Sequence, residues 1–181
     1  MKATGIVRRI DDLGRVVVPK EIRRTFRIRE GDPLEIFTNH EGEIILKKYS
    51  PIGELGDFAK EYADSLAQVT GHVVCITDRD QIIAVAGGPK KEYLGKNIST
   101  QLDDTINNRA FILAHKLDKK FVKIIDEDEE IQSETVSPII CEGDAIGSVI
   151  IFEKDPYKKM GEVEQKLANT AAGFLGKQME T

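Results

Sequence analysis

The sequence predicts an α+β protein of two domains, a short basic head and a longer tail built on an antiparallel sheet with flanking helices. Three observations lead there. Strand-length apolar runs pair across short turns in both parts, helical periodicity brackets the tail, and the sign of the charge reverses near residue 50. Residues 1–50 carry eleven Lys and Arg against eight Asp and Glu, net +3, whereas the remaining 131 carry fifteen against twenty-three, net −8.

In the head, TGIVRRI (4–10) and RVVVP (15–19) read as strands around Asp11-Asp12-Leu13-Gly14. PKEIRRTF reads as a short helix opened by Pro19, whose missing N–H is harmless in a first turn. LEIFTN and GEIILKKY follow as a hairpin turning near His40 to Gly42. Residues 1–29 hold nine cations, Lys2, Arg8, Arg9, Arg15, Lys20, Arg23, Arg24, Arg27 and Arg29, against Asp11, Asp12 and Glu21. A polyanion is the natural partner of such a surface. On an ideal helix at about 100° per residue, Arg23, Arg24 and Arg27 lie opposite the Ile22 and Phe26 face. Their guanidinium forks suit phosphates and guanine edges of double-stranded DNA.

Val16, Val17 and Val18 are consecutive and β-branched, so both faces of their strand seek burial. Fifty residues supply too little core for that alone. A second copy of the chain is therefore expected to cover the valines, which would also double the arginine face for a two-fold reader of duplex DNA.

Ser50-Pro51 marks the boundary, a cap followed by a first-turn proline, giving domains of 1–50 and 51–181 with a linker helix over 51–70. Ile52, Leu55, Ala59, Tyr62, Leu66 and Val69 alternate steps of three and four, a heptad seam that asks for a partner helix. HVVCITD and QIIAVAG read as paired strands, residues 99–116 as a helix, FVKIID as a strand and IDEDEEIQSE as a solvated acidic connector. SETVSPIICEGDAIGSVIIFEKD reads as a hairpin about Glu142-Gly143-Asp144. The closing helix, 157–180, carries two stripes, Met160, Val163, Leu167, Ala171, Phe174 and Ala168, Ala172, Leu175, Met179, one for its own domain and one for another helix.

Other chemistries find little support. His40, His72 and His115 lack the spacing that sets two metal ligands on one face, so no metal and no cofactor is expected. Nothing orients two of the acids Asp126 to Glu130 on one reacting centre, and no catalytic residue is assigned. Cys75 and Cys141 lie in apolar stretches and read as buried reduced thiols. Without a run of about 18 apolar residues or a hydrophobic leader, a cytoplasmic protein with no membrane partner is expected.

TGIVRRIDDLGRVVVPKEIRRTFRIREGDPLEI, with its D-x-L-G-R-V-V-x-P turn and E-I-R-R helix, resembles the AbrB family of swapped-hairpin transition-state regulators over residues 1 to about 50. The resemblance implies two chains interleaved into one β-barrel-like dimer, with Arg8, Arg15, Arg23 and Arg24 on DNA. Lys2, Arg9, Lys20 and Arg27 join them from charge alone. SPIGELGDFAKEYADSL, GHVVCITDRDQIIAVAG and MGEVEQKLANTAAGFLGKQME behind such a head resemble sporulation regulators that continue into a GAF-like domain. That implies a transcriptional activator and repressor in the forespore, associated with the nucleoid, whose GAF-like domains pair through helices into a homotetramer. The pairing set is Val16, Val17, Val18, Ile52, Leu55, Ala59, Tyr62, Leu66, Val69, Leu167, Ala171 and Phe174. A small-molecule ligand in the GAF-like pocket and a purely oligomerising role both stay open, since Ala86-Gly87-Gly88-Pro89 is the only glycine-rich candidate for a phosphate cradle and such a stretch is more often simply a turn. An antitoxin is the alternative, because the same type of head occurs in toxin-neutralising proteins.

Overall fold

In the computed structural model, which describes residues 5–54, 56–127, 130–158 and 160–180, the chain divides into two units between Tyr49 and Ser50. The first regular element is α1 (Lys20–Thr25), behind Pro19. A hairpin follows, β1 (Leu34–Thr38) against β2 (Ile44–Lys48), in register from Leu34↔Lys48 to Thr38↔Ile44. Its turn is organised by Asn39, whose side-chain oxygen accepts the Glu41 and Glu43 N–H groups.

The expected strands at 4–10 and 15–19 are not formed in the single chain. Their described residues run outside any ladder, joined by the turn bonds Asp11 N–H to Arg15 O at 3.1 Å and Gly14 N–H to Asp11 O at 3.0 Å. A strand needs a neighbour for its backbone groups, and one copy offers none here. Nor is any described residue of 5–49 buried. Val17 is 70% exposed and Val7 85%, and Phe26, Ile36 and Ile44 also face solvent.

The second unit opens with α2 (Pro51–Glu54) and α3 (Gly56–Thr70). Then come β3 (Val73–Thr77), β4 (Ile82–Ala86), α4 (Lys90–Tyr93), α5 (Thr100–Asn107), β5 (Ile112–His115), β6 (Ser133–Cys141), β7 (Asp144–Glu153) and α6 (Glu162–Gln178). The five strands form one antiparallel sheet in the order β4-β3-β7-β6-β5. Glu142 (φ 49) and Gly143 (φ 89) turn β6 into β7, since positive φ at both central positions matches the twist of the flanking strands.

Each face of the sheet has its own apolar layer. On one, Ala59, Ala63 and Leu66 of α3 and Ala168, Ala172 and Leu175 of α6 pack on Val74, Ile76, Val149 and Ile151. On the other, Tyr93, Leu102 and Ile106 from α4 and α5 meet Cys75, Val136, Ile150 and Phe152. At Gly176 a Cβ would stand 2.0 Å from the Ile140 carbonyl oxygen, so α6 lies against β6 with backbone on backbone.

Two tail elements differ from expectation. The helix read over 99–116 ends at Asn107, and Ile112–His115 is instead the edge strand β5. Asn108 and Arg109 (φ 52) close the helix, supplying the left-handed stop that ends many helices. FVKIID is no strand, because β5 already occupies the outer side of β6. Val122, Ile124 and Ile125 are buried all the same, and the segment is strapped to α5, with Ser99 Oγ donating to the Lys123 carbonyl and Lys123 N–H to Gln101 Oε1. Cys141, unlike buried Cys75, is partly exposed.

Glu134 is a carboxyl placed wholly inside the sheet. Its Oε1 accepts the Val122 N–H at 2.6 Å, while Oε2 is buried with no hydrogen-bond partner among the described residues. Burial pushes it up to about 8, outweighing the Val122 hydrogen bond, so it holds its proton at neutral pH. The folded pKa lies above the unfolded 4.5, so the stability it contributes is complete below 4.5 and is lost as pH rises towards 8. Glu134→Gln, which keeps the acceptor, should match the wild type in thermal melts near pH 5 and exceed its melting temperature above pH 8. Equal pH dependence in both proteins would count against a protonated Glu134.

Candidate nucleic-acid interface

The turn at 11–15 is built by one aspartate. Asp11 Oδ1 accepts the Leu13 N–H at 3.0 Å and the Arg15 N–H at 2.8 Å, the side-chain turn that aspartate favours. Its Oδ2 holds Arg15 Nε at 2.8 Å. The Arg15 backbone bond first, and then its guanidinium, keep the Asp11 carboxyl below its ordinary value. Arg15 thus leaves the turn with one face tethered and most of its side chain in solvent. The sequence places Asp11 in a turn, and its position four residues before an arginine is the signal for the tether to Arg15.

The helix end is equally specified. Ile28 N–H reaches back to Arg23 O at 2.7 Å and Arg27 N–H to Arg24 O at 3.3 Å, with Arg27 in the left-handed region (φ 51). This is the six-to-one closure usually completed by glycine. Lys48 of β2 braces it, donating to Arg27 O at 2.9 Å and pairing with Asp32 at 3.2 Å, while Asp32 also accepts the Arg29 N–H at 2.8 Å. Arg27 therefore does not share a helical face with Arg23 and Arg24, because the wheel stops at Thr25.

Arg8, Arg9 and Arg15 are exposed along the extended segment, and Lys20 and Arg24 on α1; Arg23 is half-buried and Arg27 exposed. Lys2 lies outside the described residues. The arrangement brings guanidinium groups from an arm, a turn and a helix into one small unit whose apolar side chains are uncovered.

Of the residues expected to pair tails, Leu55 lies outside the described residues. Ile52, Ala59 and Leu66 are buried in their own unit, and so is Ala171. Residues seven apart on a helix share a face, so one row of the seam is consumed by the sheet. The other row carries half-buried Tyr62 and Val69, 75% exposed. The partner helix of α3 is in part α6 of the same chain: Phe174 stacks on Tyr62 with ring centroids 5.6 Å apart and lies 5.9 Å from Phe58. Phe174 remains 40% exposed, Val163 is exposed and Leu167 half-buried. Among the described residues no helix is long and apolar enough to cross a membrane.

A basic head with no buried residue among those described precedes a helix-flanked antiparallel sheet, and that sheet is of the GAF-fold class. The second unit matches solved GAF domains, among them that of an Acinetobacter phosphoenolpyruvate-protein phosphotransferase (TM-score 0.58, 14% identity, 69% of this chain and 81% of that one). The cofactor-binding GAF domain of the nutrient sensor CodY from Clostridium difficile gives a TM-score of 0.52 at 14% identity, over 66% of this chain and 83% of that one. Residues 54–180 match the family described as stage V sporulation protein T C-terminal, transcription factor. The chain is 62% identical to stage V sporulation protein T of Bacillus subtilis (strain 168) over 99% of both chains, and it belongs to that family. It is also 43% identical to the transition state regulatory protein AbrB of the same strain, over 60% of this chain and 93% of that protein. Residues 7–54 match the family described as antidote-toxin recognition MazE, bacterial antitoxin.

Arg27→Gly should relax the left-handed residue and raise stability by about 1 kcal/mol while lowering affinity for duplex DNA. Unchanged affinity, measured by fluorescence anisotropy, would remove Arg27 from the interface.

Proposed function

We propose that this chain is a DNA-binding regulator of sporulation genes, activating some and repressing others, whose heads pair before they bind. The observation that supports it best is the absence of any buried residue among those described in 5–49, beside exposed arginines. Apolar side chains this exposed are stabilised only by another surface. A second copy that covers Val16, Val17 and Val18 would also set two arginine groups at fixed spacing. Arg8, Arg15, Arg23 and Arg24, with Arg9, Lys2, Lys20 and Arg27, would then contact phosphates and base edges on the forespore nucleoid.

Exposed Val69, Val163 and Phe174, beside half-buried Tyr62 and Leu167, support pairing of the second unit through α3 and α6, giving a homotetramer. Between the sheet and α4 and α5, the chain's own Tyr93, Leu102, Ile106 and Phe152 pack into one apolar layer. The antitoxin reading is not adopted, because the family match across residues 54–180 is to a transcription factor.

With about six to eight phosphates neutralised, log affinity should fall against log salt with a slope near −5 to −7. A slope near zero would refute phosphate-dominated binding. Arg15→Ala and Arg23→Ala should each weaken binding by about 1–3 kcal/mol if they read a base. In light scattering, Val17→Asp should remove both head pairing and DNA binding, whereas Phe174→Ala should halve the tetramer and leave head dimers. A Val17→Asp protein that still binds DNA with wild-type affinity would overturn the shared head.

A further inference from the structure

The unit beginning at Ser50 is acidic, yet one stretch reverses the sign. Residues 109–123 hold Arg109, Lys116, Lys119, Lys120 and Lys123 against Asp118 alone, net +4 in a unit of net −8. The stretch occupies one border of the sheet, since β5 is an edge strand, Arg109 precedes it and the turn at 116–120 follows it.

The turn does little to neutralise itself. Asp118 Oδ2 accepts the His115 N–H at 2.8 Å, and the Asp118 N–H returns to His115 O at 2.8 Å. The one carboxylate is committed to shaping the backbone. Lys119, Lys120 and Arg109 are exposed, and among the described residues none of the three is in an ion pair. Leu117, between Lys116 and Asp118, is 97% exposed, and Phe111 at the start of the strand 54%.

Charge and apolar surface together select the partner. A loop serving solubility needs neither the leucine nor the phenylalanine in water. A duplex offers phosphates to the lysines but takes up a leucine only by unstacking a base step, whereas a protein with an acidic rim around an apolar pocket meets both without that cost. The outer side of β5 has no strand beside it in the described structure, so an extended segment could also meet its backbone.

We propose that the β5 edge and the turn after it form a docking surface for an acidic protein partner, with Leu117 entering an apolar recess and Lys119 and Lys120 facing its acidic rim. Because the family is one of transcription factors, purified RNA polymerase holoenzyme is the probe. Binding of the full-length protein to immobilised holoenzyme is measured beside its affinity for a promoter duplex alone, for wild type, Lys119→Glu/Lys120→Glu and Leu117→Ser. Thermal melts and light scattering establish that each variant is folded and assembled. The expected result is a loss of about tenfold or more in polymerase binding for both variants, with duplex affinity unchanged. A parallel fall in duplex affinity would reassign the surface to DNA and overturn the proposal. Variants that bind holoenzyme as the wild type does, or a wild type that does not bind it, would also overturn it.

Discussion

The head is a surface without an interior, and the rest of its design follows from that. Hydrophobic stabilisation scales with apolar area removed from water, and a single copy of residues 5–49 removes too little to bury even one side chain completely. What order it has comes from local polar bonds: Asp11 shaping its turn, Asn39 shaping the hairpin, Lys48 and Asp32 bracing the end of α1. These fix the directions of the backbone and leave the apolar side chains waiting. On the reading proposed above, a second copy covering that apolar surface would also set the basic groups of two heads at a fixed spacing.

The second unit solves the opposite problem. Its sheet is covered on both faces, and some of its buried polar residues are held by several partners at once. Glu153 shows how this works. Burial acts to raise its pKa, but the Asp155 N–H, the His72 ring at 2.8 Å and the Lys158 ammonium bring it down to about 2. Glu134, one residue from the pairing partner of Glu153 on β6, receives a single N–H and stays protonated. Two glutamates on neighbouring strands thus hold different charge states, Glu134 neutral because burial outweighs its single N–H and Glu153 ionised because its donors outweigh burial.

Much of this was legible in the sequence where a local rule and the tertiary context agree. The β6–β7 hairpin could be read because two apolar runs flank Glu142-Gly143, whereas the two stripes expected of the last helix merge, Ala171 being buried in one layer with Ala168, Ala172 and Leu175. β5 could not be read, since Ile112 to His115 continues the apolar spacing of the helix before it and its stop signal, Asn108-Arg109, lacks the glycine that usually betrays such a stop. FVKIID alternates like a strand and is buried like one, but the edge it would join is taken. The arginines were legible as charge. The tethering of Arg15 and the separation of Arg27 from the helix face depend on backbone bonds that composition does not reveal. The heptad from Ile52 was legible as a seam, but periodicity is blind to whether a partner belongs to the same chain or another.

The contact at Gly176 bears on how the tail could move. With no side chain between the helix and the Ile140 carbonyl, α6 is seated at a single longitudinal position. A shift by one residue would drive Leu175 or Lys177 into that oxygen. Such a helix behaves as a strut rather than a slider, so any displacement of the β6–β7 hairpin must carry α6 with it as a rigid piece. Whatever assembles on the outer flank of that strut inherits the attitude of the sheet beneath.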